Sequence, residues 1–220
     1  MYADTKNWIT AGLAGLPIYG ALTLWSSLTP QPDPATQYDA WARFVTTNEY
    51  VIGHLLGSGL GLIAGIFGTF ALGAYLASSR SAAIALTGMV VAVFGAALFL
   101  LPMGVSTFSA PAEGFGYIAS GQRAAELAPS LAGQLFALTF LLVIVLSLVG
   151  NIILGIAIWR SGMLPKWTGA LWAAAPLLMY VFGIIYALVI GVQSTPPTVP
   201  LGAALIVVAG SAILWRSYRA

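Results

Sequence analysis

Six long apolar runs constrain this chain more than any other feature. They cover residues 8–28, 49–77, 83–105, 130–159, 167–192 and 199–215, and none carries a charged side chain at its centre. A helix needs about 20 apolar residues to cross the hydrocarbon core of a bilayer. Inside lipid such a run can satisfy its backbone N–H and C=O groups only by becoming a helix. Composition agrees. Of the 220 residues, 60% are apolar and only 6% charged, against about 25% charged in soluble domains. The expectation is an all-α, polytopic transmembrane bundle of six spans, forming one domain over residues 1–220. A membrane barrel does not fit, because the runs far exceed about 10 residues and do not alternate. A soluble domain, a disordered chain and a nucleic-acid binder are excluded by the same composition. With no cysteine in the chain, disulfides, thiol catalysis and thiolate metal sites are excluded too. The run from Trp8 to Leu28 is longer than the about 7–15-residue core of a secretory signal and reads as an uncleaved first span.

Charge sets the expected direction. Six spans put both termini and the breaks near Arg80 and Arg160–Lys166 on one side. That side holds Lys6, Arg80, Arg160, Lys166, Arg216 and Arg219, with Asp4 the only acid. The other side holds Arg43 and Arg123 against Asp33, Asp39, Glu49, Glu113 and Glu126. By the positive-inside rule both termini are expected in the cytoplasm. Two external loops then remain, 29–48 and 106–129. In the first, Tyr38, Trp41, Phe44 and Val45 share one helical face, which reads as a short interfacial helix. In the second, residues 122–127 are expected to form another helical turn. Together the loops would make an acidic, aromatic lid.

The chain also repeats itself. Gly68-Thr-Phe-Ala-Leu72-Gly73, with Ser79 beyond, matches Gly150-Asn-Ile-Ile-Leu154-Gly155, with Ser161 beyond, at an offset of 82 residues. A parallel duplication of the hairpins 49–105 and 130–192 is expected, unlike the inverted repeats of many transporters. The turn Trp159-Arg-Ser-Gly-Met-Leu-Pro165-Lys-Trp-Thr-Gly169 resembles a turn common in uncharacterised bacterial six-helix membrane proteins, many of them actinobacterial. The stretch Phe108-Ser-Ala-Pro111-Ala-Glu-Gly114-Phe-Gly-Tyr117 is similar to their third external segment. The resemblance implies a bacterial inner-membrane protein and brings no catalytic residues with it.

Candidate sites are few. Gly53, Gly57, Gly61 and Gly65 recur every four residues in the second span, the spacing that lets another helix backbone approach closely in lipid. Three partners are open for this helix-packing ridge: another span of the same chain, a second copy, or a lipid tail or flat ligand. His54 is the only histidine, and an ionisable group within a span is a functional candidate because leaving it unpaired in lipid is costly. Ser58 lies four residues on, so the two share a face. Glu49 and Tyr50 sit one turn above, although Thr46-Thr-Asn-Glu49 also reads as a capping box. Gln134, at the matching depth of the second repeat, and Tyr186 or Tyr19 complete the expected neighbours. The ligand-binding candidates are thus His54, Glu49, Tyr50, Ser58, Gln134 and Tyr186. Pro17, Pro102 and Pro176 should kink their spans.

No catalytic set, metal-ligand set or cofactor is assigned. The phosphate-binding Gly-Lys-Ser/Thr motif and the Gly-x-Ser-x-Gly elbow are both absent, which argues against nucleotide hydrolysis and serine hydrolysis. Beyond the lipid bilayer, the expected partners are an apolar small molecule (lipid, quinone or pigment), a membrane-protein partner or a homo-oligomer. Three functions remain: an accessory or assembly subunit or binder of such a molecule, a small transporter or channel with a vestibule at Glu49 and His54, or an intramembrane enzyme using His54 as acid or base.

Overall fold

A computed structural model of the chain describes residues 3–123, 130–191 and 195–219, and among these it contains helices, short connections and no strand. Six helices are long and apolar enough to cross a membrane: α1 (Thr5–Ser27), α3 (Asn48–Leu76), α4 (Ala82–Ser120), α5 (Leu131–Ser161), α6 (Lys166–Ile190) and α7 (Thr198–Arg219). A short helix, α2 (Tyr38–Val45), lies between the first two. Outward-facing Phe67, Val90, Phe94, Leu188 and Val189 remain exposed, as lipid contact requires. The expected six-span, all-α architecture is the observed one.

The spans form a closed ring. Each packs against the one before and after it in the chain, and α7 returns to α1. Glycine sets five of the six seams by admitting the neighbouring backbone. A Cβ at Gly15 would collide with the carbonyl of Ala64 on α3, and one at Gly150 with the amide of Ala92 on α4. A Cβ at Gly169 would lie 2.5 Å from the Gly155 carbonyl on α5, and one at Gly202 2.7 Å from the Ala175 carbonyl on α6. Between α1 and α7, a Cβ at Gly20 would lie 2.7 Å from the Val207 amide. The sixth seam, α3 with α4, places Gly73 against the side chain of Met89. In lipid, packing of this kind is what draws helices together, since apolar contact alone favours lipid equally.

The filled core lies towards one end of the ring, the terminal face that carries both chain ends. Leu13, Leu16, Leu72, Leu76, Leu154, Ile158 and Ile213 are fully buried there. The turn between α3 and α4 is pinned to the end of α5: Arg80 Nε donates to the Arg160 carbonyl at 2.5 Å, and Ser81 Oγ donates to the Ala157 carbonyl at 2.9 Å. A cation on the last carbonyls of a helix is favourable because those groups lack intrahelical partners.

Three expectations change at the opposite, loop face. Residues 106–129 are not a loop throughout, because α4 continues to Ser120, where Gly121 ends it with φ of +69°. Pro111 permits this continuation by sitting at the start of the segment that follows a wide turn, where its missing N–H interrupts little. Of the expected turn at 122–127, residues 124–127 lie outside the described residues. Nor does α2 stand alone: its buried Tyr38, Ala42 and Val45 face the end of α4, where a Cβ at Gly114 would lie 2.7 Å from the Ala42 carbonyl. The capping residue of α3 is Thr47, not Thr46. Its side chain accepts from the Tyr50 amide, while Glu49 instead receives the Thr29 hydroxyl at 3.3 Å.

The glycine ridge of α3 divides in two. A Cβ at Gly57 would collide with Ser26 Cβ, one at Gly61 would lie 3.1 Å from Leu22, and one at Gly65 would lie 2.9 Å from the Tyr19 ring, all on α1. A Cβ at Gly53 would meet nothing within 4 Å. Gly57→Ala should therefore cost about 1–3 kcal/mol through overpacking, whereas Gly53→Ala should leave stability unchanged or raise it by up to about 1 kcal/mol. Thermal melts of the two variants in one detergent check this. Equal behaviour of the pair would contradict the seam.

Candidate functional site

Proline, glycine and backbone geometry open the loop half of the ring. Three stretches widen from α-helical to π-helical turns: Gly53–Leu60 in α3, Val105–Ser109 in α4 and Leu177–Phe182 in α6. Pro176 directly precedes the last stretch, and Pro102 lies one turn before the second. Proline removes an i→i−4 bond and presses on the carbonyl four residues earlier, so the ladder re-forms with a wider loop. Pro17 acts differently, since α1 breaks briefly at Ala14, just past Leu13, whose carbonyl the proline cannot satisfy.

Inside the widened half lies a cavity of about 330 Å³ to which all six spans contribute, through Tyr19, Leu62, Phe99, Phe140, Met179 and Val199 among others. That volume falls at the lower end of small-molecule pockets, which run about 300–1,000 Å³ and are mostly apolar with a few placed polar groups. His54 and Ser58 reach it from the π-helical part of α3, and Ser26, Ser27 and Gln31 edge it near the loops. A smaller pocket joins the same histidine to Glu49, Tyr50 and Gly53.

The His54 ring is held from one side. Its Nδ1 lies 3.0 Å from the Tyr50 carbonyl, and its plane stacks on the Tyr50 ring with centroids 4.0 Å apart. Tyr50 is itself fixed, because its hydroxyl donates to the Ser106 carbonyl on α4 at 2.9 Å. Thus the second π-helical stretch anchors the residue that orients the histidine.

The floor of the cavity is polar. Tyr19 of α1 and Tyr180 of α6 both line it, with Ser147 of α5 near Tyr180. One turn further in, Asn151 Nδ2 donates to the Ser147 carbonyl at 2.8 Å, and Asn151 Oδ1 accepts from Trp172 Nε1 at 3.0 Å. The amide thereby ties α5 to α6. The apolar core lies beyond.

Of the sequence candidates, His54 and Ser58 meet in the larger of these two loop-half pockets together with Tyr19, while Glu49 and Tyr50 meet His54 in the smaller one. Gln134 and Tyr186 do not join them. Gln134 is exposed on the outside of α5, and Tyr186 lies away from either pocket. Depth along a helix can be counted from sequence, but the direction of a side chain around the helix depends on neighbours, and here it placed both residues elsewhere. The missed residues are Tyr180, Ser147 and the aromatic lining from Phe99 and Phe140. Pro176 directly before Leu177–Phe182 was the available signal for Tyr180. Among the described residues no group of three His, Asp or Glu gathers as a metal site would require.

Over the loop face, α2 is joined to α4 by one short bond. The Tyr38 hydroxyl donates to Glu113 Oε1 at 2.5 Å, and the Arg123 guanidinium lies 4.2 Å from the Tyr38 ring centre. The surface pair Arg43–Asp39 at 3.1 Å is exposed and adds little.

Comparison of the chain with protein-family models, curated proteins and solved structures finds no match.

Loss of water around the Tyr38 phenol, and then its bond to Glu113, push its pKa up from 10.0 to about 12. A raised folded-state value means that the stabilisation is complete below the ordinary value and is lost as pH rises through the raised one. The melting-temperature gap between wild type and Tyr38→Phe should therefore be widest below about pH 10 and should close towards about pH 12. A gap independent of pH would remove the Tyr38–Glu113 bond from the description.

Proposed function

We propose that the protein is a bacterial inner-membrane bundle that binds an apolar small molecule in the cavity of its loop half. The observation that carries this reading is the cavity itself: six spans line it, its exposed wall is chiefly apolar, and side chains of α1, His54, Ser58 and Thr195 supply polar groups. A transporter would need a route onward, and here the packed leucines and isoleucines of the terminal half lie beneath the floor. Chemistry at His54 would draw on Tyr50 or Glu49, and the Tyr50 hydroxyl is tied to the Ser106 carbonyl while Glu49 receives the Thr29 hydroxyl. Both points favour binding over passage or catalysis. The basic residues of the terminal face support a cytoplasmic location for both termini, so that the cavity opens outward. The turn at Trp159–Gly169 supports the bacterial assignment by its resemblance alone.

Gentle detergent extraction followed by native mass spectrometry tests the reading. The wild type should carry an apolar mass of cavity size, and Val199→Trp, which fills the lining from α7, should lose it. An empty wild type, or a mass that Val199→Trp retains, would overturn the proposal. A co-purifying protein in place of a small molecule would overturn it in favour of an assembly subunit.

A further inference from the structure

We infer that the cavity is built to receive a hydroxyl group between His54 Nε2 and Ser58, so that its occupant is a largely apolar alcohol or phenol. This rests on the reading of the cavity as an apolar-ligand site, and it adds the chemical group that the site selects.

Tyr50 O can only accept, so the 3.0 Å contact with His54 Nδ1 places the ring proton on Nδ1. In the neutral imidazole the other nitrogen is then an acceptor with no proton to give. Among the described residues none is bonded to Nε2, and the ring borders the cavity. The orientation is fixed by more than this bond, because Tyr50 stacks on the ring at 4.0 Å while its own hydroxyl is tied to Ser106 of α4. The chain thus presents a preorganised acceptor at the edge of an apolar space.

Ser58 supplies the complementary donor. Serine and threonine hydroxyls within helices commonly bond back to the carbonyl three or four residues earlier. Ser26, Ser27, Thr107 and Thr139 all do so here. Ser58 does not; its one contact is Ser26 Oγ at 3.5 Å, and the Ser26 proton is directed to the Thr23 carbonyl. Its proton is therefore held only by that 3.5 Å contact, and rotation of the hydroxyl turns it to the cavity that Ser58 lines.

An acceptor and a donor on adjacent turns read a hydroxyl in both senses, since an alcohol gives one proton and accepts one. A ketone, ester or ether could accept from Ser58 but would bring no proton to Nε2 and would leave that acceptor unpaired. An ammonium group would find no carboxylate among the residues lining the main cavity, and an unpaired charge in such a place is strongly disfavoured.

Two matched probes test the inference, farnesol and farnesyl methyl ether, which differ by the hydroxyl proton and a methyl group. Purified full-length protein in nanodiscs should bind the alcohol about tenfold more tightly than the ether, the upper range for one neutral hydrogen bond. In His54→Phe that preference should vanish while the ether's affinity persists. Because His54 is the only histidine, ¹⁵N-histidine labelling of the unaltered chain gives an independent readout. Farnesol should move the signal of a proton-free Nε2, and the ether should not. Equal affinities for the two probes in wild type, an Nε2 signal unmoved by bound farnesol, or a preference surviving in His54→Phe would each overturn the hydroxyl inference and leave the cavity reading standing. If neither probe binds, the cavity reading fails as well.

Discussion

The structure depends on backbone-to-backbone approach at glycine. A helix in lipid gains little from touching another apolar surface, because lipid tails are as apolar as leucine, so association must come from close packing and hydrogen bonds. Gly15, Gly20, Gly150, Gly169 and Gly202 each stand where a Cβ would strike a neighbouring span's amide or carbonyl. These contacts do more than hold pairs together. They fix the distance at five of six seams, and a ring of six helices closes only when the seams agree.

A ring sealed in this way has to be filled or left open. Towards the terminal face it is filled by leucine, isoleucine and alanine, and the turn after α3 is bonded across to α5 through Arg80 and Ser81. Towards the loop face, Pro102, Pro176 and the glycines of α3 interrupt the regular ladder, and the three π-helical stretches lie at that level. A wider helix turn projects its side chains differently from the α-helical spacing. Tyr180 and Ser58, which line the cavity, both lie in these stretches. The same local irregularity therefore accounts for the space and for the polar groups that face it.

Much of this was legible in the sequence, though unevenly. The spans could be read because apolar length is a property of consecutive residues. The interaction of α3 with α1 was one of three readings of the Gly53–Gly65 ridge, and Gly57, Gly61 and Gly65 do lie against α1. Gly53 does not, since it belongs to the opened half. The continuation of α4 was hidden because Pro111, Gly114 and Gly116 read as loop residues, whereas Pro111 tolerates a helix start and Gly114 makes room for α2. Gln134 and Tyr186 were misplaced for a different reason: counting residues gives depth, and only packing gives the facing direction. The pairing of Asn151 with Trp172 joins residues 21 apart on separate spans, which no local pattern reveals.

The central claim is that the core of the terminal half is packed while the loop half, which we propose faces outward, opens to water. The chain has no cysteine of its own, so single cysteines report cleanly on either half. Intact cells carrying Ser58→Cys or Ala209→Cys, treated with a small membrane-impermeant thiosulfonate, provide the most direct measurement. Ser58 lines the cavity and Ala209 is fully buried in the core. The account expects rapid labelling at position 58 and none at position 209. Resistance at both positions, or equal labelling of the two, would contradict it.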